Sequence, residues 1–326
     1  MLYRKTYNGW VYEYDSENGR FNVNPKDGIE PPPTLFKYYP LSEYSVDALL
    51  HNYVYASHPN QLNDYFDCCP QMIVYDDPEI IRNQLTDIGY DCSQYTDDEL
   101  IKNDEIQREV RKGLWHTMYS KIGIVSFTKD PRNLLMWSHY SQNQGICVEF
   151  DYSKFPFDYY GPFPVNYQSA IQEIHLMDTD FRVAVAMQFN IKHDRWKYEN
   201  EWRIIAKAKA GIDMEVFGEP ELEIFGGAER KFQYPVSAIK NIGLGFCFFR
   251  LDELSFTNNY QNAIINLNSK RDGYGVRKKL LEWVMRHNIT IIFALPEGLN
   301  DVHFCSANIE KEGDKIMLNI LDHLID

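Results

Sequence analysis

The 326-residue chain contains no run of about 18 apolar residues, so no segment reads as a membrane-spanning helix. Its first residues mix tyrosine with charged side chains and lack the apolar core of a secretory signal. Cysteine is sparse. The six thiols (Cys68, Cys69, Cys92, Cys147, Cys247 and Cys305) have neither zinc-type spacing nor the density of a disulfide scaffold. A reducing, cytoplasmic setting is therefore expected, with no metal. Basic charge is also short: 33 Lys and Arg against 47 Asp and Glu leave a net charge of −14. Such a surface repels a phosphate backbone, which excludes extensive coating of nucleic acid. The familiar catalytic signatures are missing as well: no Walker loop, no G-x-G-x-x-G, no G-x-S-x-G and no H-E-x-x-H. His139 and His193 read as packing and turn residues rather than as bases.

Aromatic residues are plentiful: 23 Tyr, 19 Phe and 6 Trp suit half-buried sheet faces and contact with flat ligands. Asn8-Gly9 and Asn18-Gly19 are type I′ turn signals between Tyr- and Val-rich runs, which predicts small hairpins over residues 1–24. Pro31-Pro32-Pro33 then stiffens the chain, so residues 1–33 are expected as an appended extension and 34–326 as the main α+β domain. Within that domain Leu35–Tyr39 and Tyr53–Ser57 read as strands, with a helix capped by Ser42 over about 43–52. Residues 76–119 read as a helical insertion. Asp77-Pro78 opens it, Thr96 and Glu99 form a capping box, and Ile106, Val110, Leu114 and Met118 recur at helical spacing. Ile122–Thr128 and Ile146–Phe150 read as strands around a helix opened at Asp130-Pro131. A late helix over 276–287 leads into the apolar run Thr290–Ala294. Strands interrupted by long helices without βαβ repeats favour a twisted, mostly antiparallel sheet.

The chemistry-bearing stretch is Trp196–Arg203. Read as a strand, it turns Trp196, Tyr198 and Trp202 to one side and Lys197, Glu199, Glu201 and Arg203 to the other, setting two carboxylates between two cations. The plain alternative is a self-neutralising exposed face. Ser126 and Thr128 share one strand face, and Lys37 lies among Tyr38, Tyr39, Tyr53 and Tyr55.

Three groups of residues, in order, resemble a bacterial family catalogued as domain of unknown function 2971. The first comprises Leu35–Leu41, Tyr55–Ser57 and Asn63–Asp67; the second Ser126–Thr128, Leu135–Tyr140 and Gly145–Cys147; the third Trp196–Arg203. The resemblance covers about residues 35–325. It departs at Tyr39, where the family usually has arginine, and at Tyr65, where it usually has proline. The same order of strands also resembles ADP-ribosyltransferases. That resemblance implies NAD as substrate, with Lys37, Tyr38 or Tyr39 holding the dinucleotide and Ser126 and Thr128 lining the nicotinamide pocket. Glu201 would contact the ribose and stabilise the oxocarbenium-like charge, and Glu199 would accept the acceptor's proton. A toxin or phage-defence effector with a macromolecular acceptor is the activity so implied. Two other readings stand beside it: a non-enzymatic ligand- or protein-binding module, and a metal-dependent nuclease using Asp64, Asp67 and Glu201.

Overall fold

The computed structural model describes residues 1–114, 122–207, 230–257, 261–297, 301–313 and 315–324. They form an α+β structure with mostly antiparallel sheet, divided into two compact units whose segments alternate along the chain. Met1–Pro31, Tyr55–Ser126 and Phe157–Phe232 build the first; Pro32–Val54, Phe127–Pro156 and Gln233–Asp326 build the second.

In the first unit, strands Leu2–Tyr7, Trp10–Asp15 and Arg20–Pro25 form an antiparallel meander. Asn8 and Gly9 both take positive φ, at 47° and 80°, as a type I′ turn requires. The second connection departs from expectation. Asp15 pairs with Arg20, leaving a four-residue loop in which Asp15 accepts from the Glu17 amide, 3.0 Å, and from Asn18 Nδ2, 2.7 Å. The short acceptor side chain holds the wider turn, so Asn18-Gly19 does not form a two-residue hairpin. The expected helical insertion is present as three helices. Pro78–Asp87 is capped by Asp77, Asp97–Lys102 carries the Thr96–Glu99 capping box, and Asp104–Leu114 follows. Met118 and the end of that reading lie outside the described residues. Ile81, Leu85, Leu100, Ile106 and Val110 bury into one core with Tyr12 and Val23 of the meander and Val183, Met187 and Phe189 of the helix Phe181–Asn190. The meander is thus fastened by burial of its apolar face.

In the second unit the strand order is Leu254–Thr257, Asn262–Ile265, Lys315–Leu324, Asp301–Glu312, Thr290–Glu297, Ile239–Leu244, Ile146–Phe150 and Leu35–Tyr39. These neighbours pair antiparallel except Ile239–Leu244 with Thr290–Glu297, which run parallel. The helix Glu43–Leu50, capped by Ser42, is tied to the helix Tyr274–His287 by Lys279 and Glu43 at 2.8 Å. The helix expected to open at Asp130-Pro131 begins instead at Leu134, because the Asn133 side chain caps it by accepting from the Leu135 and Met136 amides. Gly145 follows that helix where a Cβ would stand 2.0 Å from the Tyr39 carbonyl oxygen, so only glycine fits. Among the described residues, no helix is long and apolar enough to cross a membrane.

Candidate functional site: a buried charge cluster beside an aromatic cavity

The chain does not run as one strand from Trp196 to Ile205. Asp194–Glu199 is a tight 3-10 turn closed by Asn200 at φ 46°, and the strand is Glu201–Lys207. The alternation of aromatic and charged residues imitates a strand, but a left-handed asparagine ends the turn and resets the register. Glu199 therefore leaves the strand face, while Glu201 and Arg203 keep it. Lys197 is exposed. The second cation is Lys192, from the strand Ile191–His193 that follows the helix Phe181–Asn190.

Five ionisable side chains of the first unit meet with water excluded: Asp67, Lys192, Glu199, Glu201 and Arg203, none more than 5 % exposed. Arg203 Nε donates to Glu201 Oε1 at 2.8 Å and Nη2 to Oε2 at 3.1 Å. Its other edge bridges Asp67, Nη1 to Oδ1 at 2.8 Å and Nη2 to Oδ2, and Nη1 also donates to the Phe189 carbonyl at 2.8 Å. These bonds engage all five guanidinium N–H groups. Lys192 Nζ lies 2.5 Å from Glu199 Oε2, 3.0 Å from Glu201 Oε2 and 3.5 Å from Asp67 Oδ2. Ser126 also hydrogen-bonds the Glu201 carboxylate, and the Glu201 amide donates to Tyr167 Oη at 3.0 Å. Three carboxylates face two cations, so the cluster carries one surplus negative charge.

Burial opposes ionisation of Glu201. The Arg203 guanidinium and Lys192 ammonium, with hydrogen bonds from Arg203 and Ser126, more than offset it and hold the carboxyl well below its usual range. Burial equally opposes the charge on Lys192, and the attraction of Glu201, Asp67 and Glu199 overcomes it. The neighbouring Cys68 thiol is pushed far up by burial and by Asp67, so it is no thiolate nucleophile. Both oxygens of Glu201 accept from a cation. The geometry is that of a charge cluster that braces the unit.

Two concavities adjoin it. One, of about 220 Å³, is walled by Tyr14, Phe21, Tyr160, Phe163 and the helix Phe181–Asn190, with Arg203 and Asn190 in its lining. Phe21 meets Tyr160 edge-on at 4.8 Å and Tyr14 at 4.7 Å. Asn190 Oδ1 accepts from Tyr12 Oη at 2.8 Å, and its Nδ2 donates to the Pro164 carbonyl at 2.6 Å. The other, of about 510 Å³, is shaped by the polar loop that includes Asn63, Asp64, Tyr65, Asp67 and Cys68.

Of the residues expected at a site, Ser126, Glu199 and Glu201 lie in the first unit, and the cluster joins them. Lys37, Tyr38, Tyr39 and Thr128 lie in the second unit. There Lys37 sits over the Tyr39 ring, Tyr38 packs edge-on against Trp137 at 5.0 Å, and Tyr39 is buried. Thr128 Oγ1 accepts from the Asp130 amide at 3.0 Å, as a turn cap does. Asp67 and Glu201, set beside Asp64 by the nuclease reading, are each bound to Arg203. Among the described residues no three of His, Cys, Asp and Glu are grouped to hold a metal ion. Lys192 was not legible as a member of the cluster, since no spacing links it to Glu201 before the chain folds.

The loop leading to Asp67 carries a titratable brace of its own. Burial and the nearby Arg230 guanidinium pull His58 down to about 3 from its ordinary 6.5. Its Nδ1 accepts from the Asn60 amide at 3.1 Å. A depressed folded-state value means the contribution is complete above pH 6.5 and is lost as pH falls from there toward 3. Acidification from about pH 7 to pH 4.5 is expected to lower the urea midpoint of the first unit. His58→Gln keeps an acceptor for Asn60 and should flatten that slope. Parallel slopes for both proteins would remove His58 from the account.

A family model described as protein of unknown function (DUF2971) matches residues 136–204, a stretch that holds Trp137–Tyr140 and Trp196–Arg203. No curated protein and no solved structure matches the chain.

Proposed function

We propose that the first unit is a small-molecule-binding module whose site is the aromatic cavity beside Arg203. The supporting observation is a concave, ring-lined space in which the polar atoms of Arg203 and Asn190 already have partners and Arg182 is paired with Asp180 and stacked over the Tyr3 and Tyr14 rings, so that most of the wall is apolar or aromatic. The test fills the space. Ala186 lines the cavity from the helix Phe181–Asn190 and is only part-buried, so Ala186→Phe should fold while occupying the pocket. A ligand at 100 times its Kd stabilises by about 2.7 kcal/mol, roughly 5–10 °C for a unit of this size. Apolar compounds are expected to raise the melting temperature of the wild type and to leave Ala186→Phe unmoved. No shift in the wild type, or an equal shift in the variant, would refute the reading.

A second reading is cleavage of the nicotinamide–ribose bond of NAD, as in an ADP-ribosyltransferase of toxin or phage-defence type. It draws on one observation, the Ser126 hydrogen bond that helps keep Glu201 anionic. Nicotinamide release by the pure protein tests it directly, and no release above the uncatalysed rate would end it.

A further inference from the structure

We infer that the ligand of this cavity is an aryl carboxylate, with its ring inside the aromatic walls and its carboxylate on the unspent N–H groups of Arg182; this rests on the binding-module reading above and adds the chemical class.

The helix Phe181–Asn190 gives the cavity its direction. Arg182, in the first turn, lines it with a side chain 37 % exposed, whereas Phe189 and Asn190, in the last turn, line it while almost fully buried. Arg203 is buried at that inner end, where it donates to the Phe189 carbonyl. The cavity therefore opens on the Arg182 side.

Arg182 is the charged group that a ligand can reach. Its guanidinium carbon lies 4.5 Å from the Tyr3 ring centre and 4.7 Å from that of Tyr14, so the rings fix its position. Nε donates to Asp180 Oδ1 at 3.1 Å and Nη2 to Oδ2 at 2.8 Å, and Tyr3 hydrogen-bonds the group as well. Among the described residues, two of the five N–H groups are then left for an acceptor. Arg203 shows the completed arrangement, with Glu201 on one edge and Asp67 on the other. A ligand carboxylate would stand to Arg182 as Asp67 stands to Arg203, through charge-assisted bonds that a neutral acceptor makes more weakly.

The surrounding charge admits an anion there. Asp180 neutralises Arg182, but Lys207, 3.9 Å from the Tyr160 ring centre, brings a second cation to the wall. Asp178 is held by Lys5 at 2.9 Å. The surplus negative charge of the buried cluster lies at the inner end. From Arg182 to Phe189 the helix rises about 10 Å, which is about a Debye length at physiological salt, so solvent at the open end screens much of that charge. A cation would instead meet Arg182 at the entrance and find Asp180 already paired.

The walls select a ring. Phe21 stands edge-on to Tyr160 and tilted to Tyr14, so an inserted ring meets edges and faces at once and makes offset and T-shaped contacts. Volume sets the size. A cavity of about 150 Å³ takes benzene, so the space here, about 220 Å³, suits one ring with a short arm toward Arg182.

The experiment uses the full chain and four probes of matched size: phenylacetate, phenylacetamide, phenethylamine and cyclohexylacetate, with binding read by calorimetry and by melting temperature. Phenylacetate is expected to bind best. The amide and the amine should be at least about tenfold weaker, the factor a charge-assisted bond supplies. Cyclohexylacetate should be about two- to tenfold weaker, for want of ring contacts. Arg182→Met keeps the packing against Tyr3 and Tyr14 and removes the donors, so it should erase the preference for acid over amide while the amide still binds. Ala186→Phe should abolish all binding. The acid-to-amide ratio of the wild type decides the matter by itself should Arg182→Met not fold. If any of the other three binds the wild type as tightly as phenylacetate, or if Arg182→Met keeps the preference, the chemical class is wrong while the binding module stands. Should none of the four bind, the module reading falls, and this inference with it.

Discussion

Arg203→Met is expected to destabilise the first unit by about 3–5 kcal/mol, enough to lower its melting temperature by on the order of 10 °C. The reason is arithmetic on buried charge. Arg203 neutralises Asp67 and Glu201 through its two edges, and Lys192 is the other cation in the cluster. Without the guanidinium, three carboxylates in a space with almost no water share one ammonium, and the Phe189 carbonyl loses its Arg203 donor. Methionine fills a similar volume, so the loss is electrostatic rather than a cavity. Arg203→Lys restores the charge but has one donor nitrogen where the fork has three, and should recover only part of the stability. Hydrogen exchange at Trp202 and Ile204, which flank Arg203 on its strand, measures the effect locally. Wild-type protection in Arg203→Met would mean that the cluster is solvated after all.

Glu201→Gln and Glu199→Gln are expected to part company. Read from the sequence, Glu201 lies on an open strand face where glutamine would leave the fold intact. In the structure its two oxygens serve Arg203 and Lys192, and Ser126 bonds the same carboxylate. Glutamine keeps one acceptor and turns an NH₂ group toward one of the cations, so a cost of about 2–4 kcal/mol follows. Glu199 meets Lys192 through Oε2, and neutralising it removes the cluster's surplus negative charge. Glu199→Gln should therefore cost less than about 1 kcal/mol. Urea midpoints of the two variants decide this, and equal losses would refute the charge count. The comparison bears on any assay of NAD cleavage. Lost activity in Glu201→Gln marks a catalytic role only if the rate per folded molecule falls, because the variant also loosens its surroundings.

Much of the fold was written locally. Asp77-Pro78, Thr96 with Glu99, and Ser42 start helices where their side chains can satisfy the first free amides, a property of four consecutive residues. Ile122–Thr128 and Ile146–Phe150 are strands as their β-branched and aromatic content requires. Asn8-Gly9 makes its turn because both residues tolerate positive φ. Local pattern misled at Trp196–Glu199, where aromatic and charged residues alternate within a tight turn. Asn200 carries the only local hint, since asparagine takes the left-handed conformation more readily than most residues.

The site belongs to the other category. By itself the sequence determined that Glu199, Glu201 and Arg203 sit close together, that the N-terminal residues pair as strands, and that the chain is rich in rings. It did not determine that Asp67 would reach Arg203, that Lys192 rather than Lys197 would supply the second cation, or that Tyr14, Phe21 and Tyr160 would share a cavity. Asp67 with Arg203, and Tyr14 and Phe21 with Tyr160, join segments far apart in the chain that only burial of the common core brings together, while Lys192 reaches Glu199 and Glu201 across the 3-10 turn that separates them. A carboxylate's neighbours, and so its charge state and its role, are set by that burial, which is why the same Glu201 reads as an open acid in the sequence and stands as a paired, buried brace in the structure.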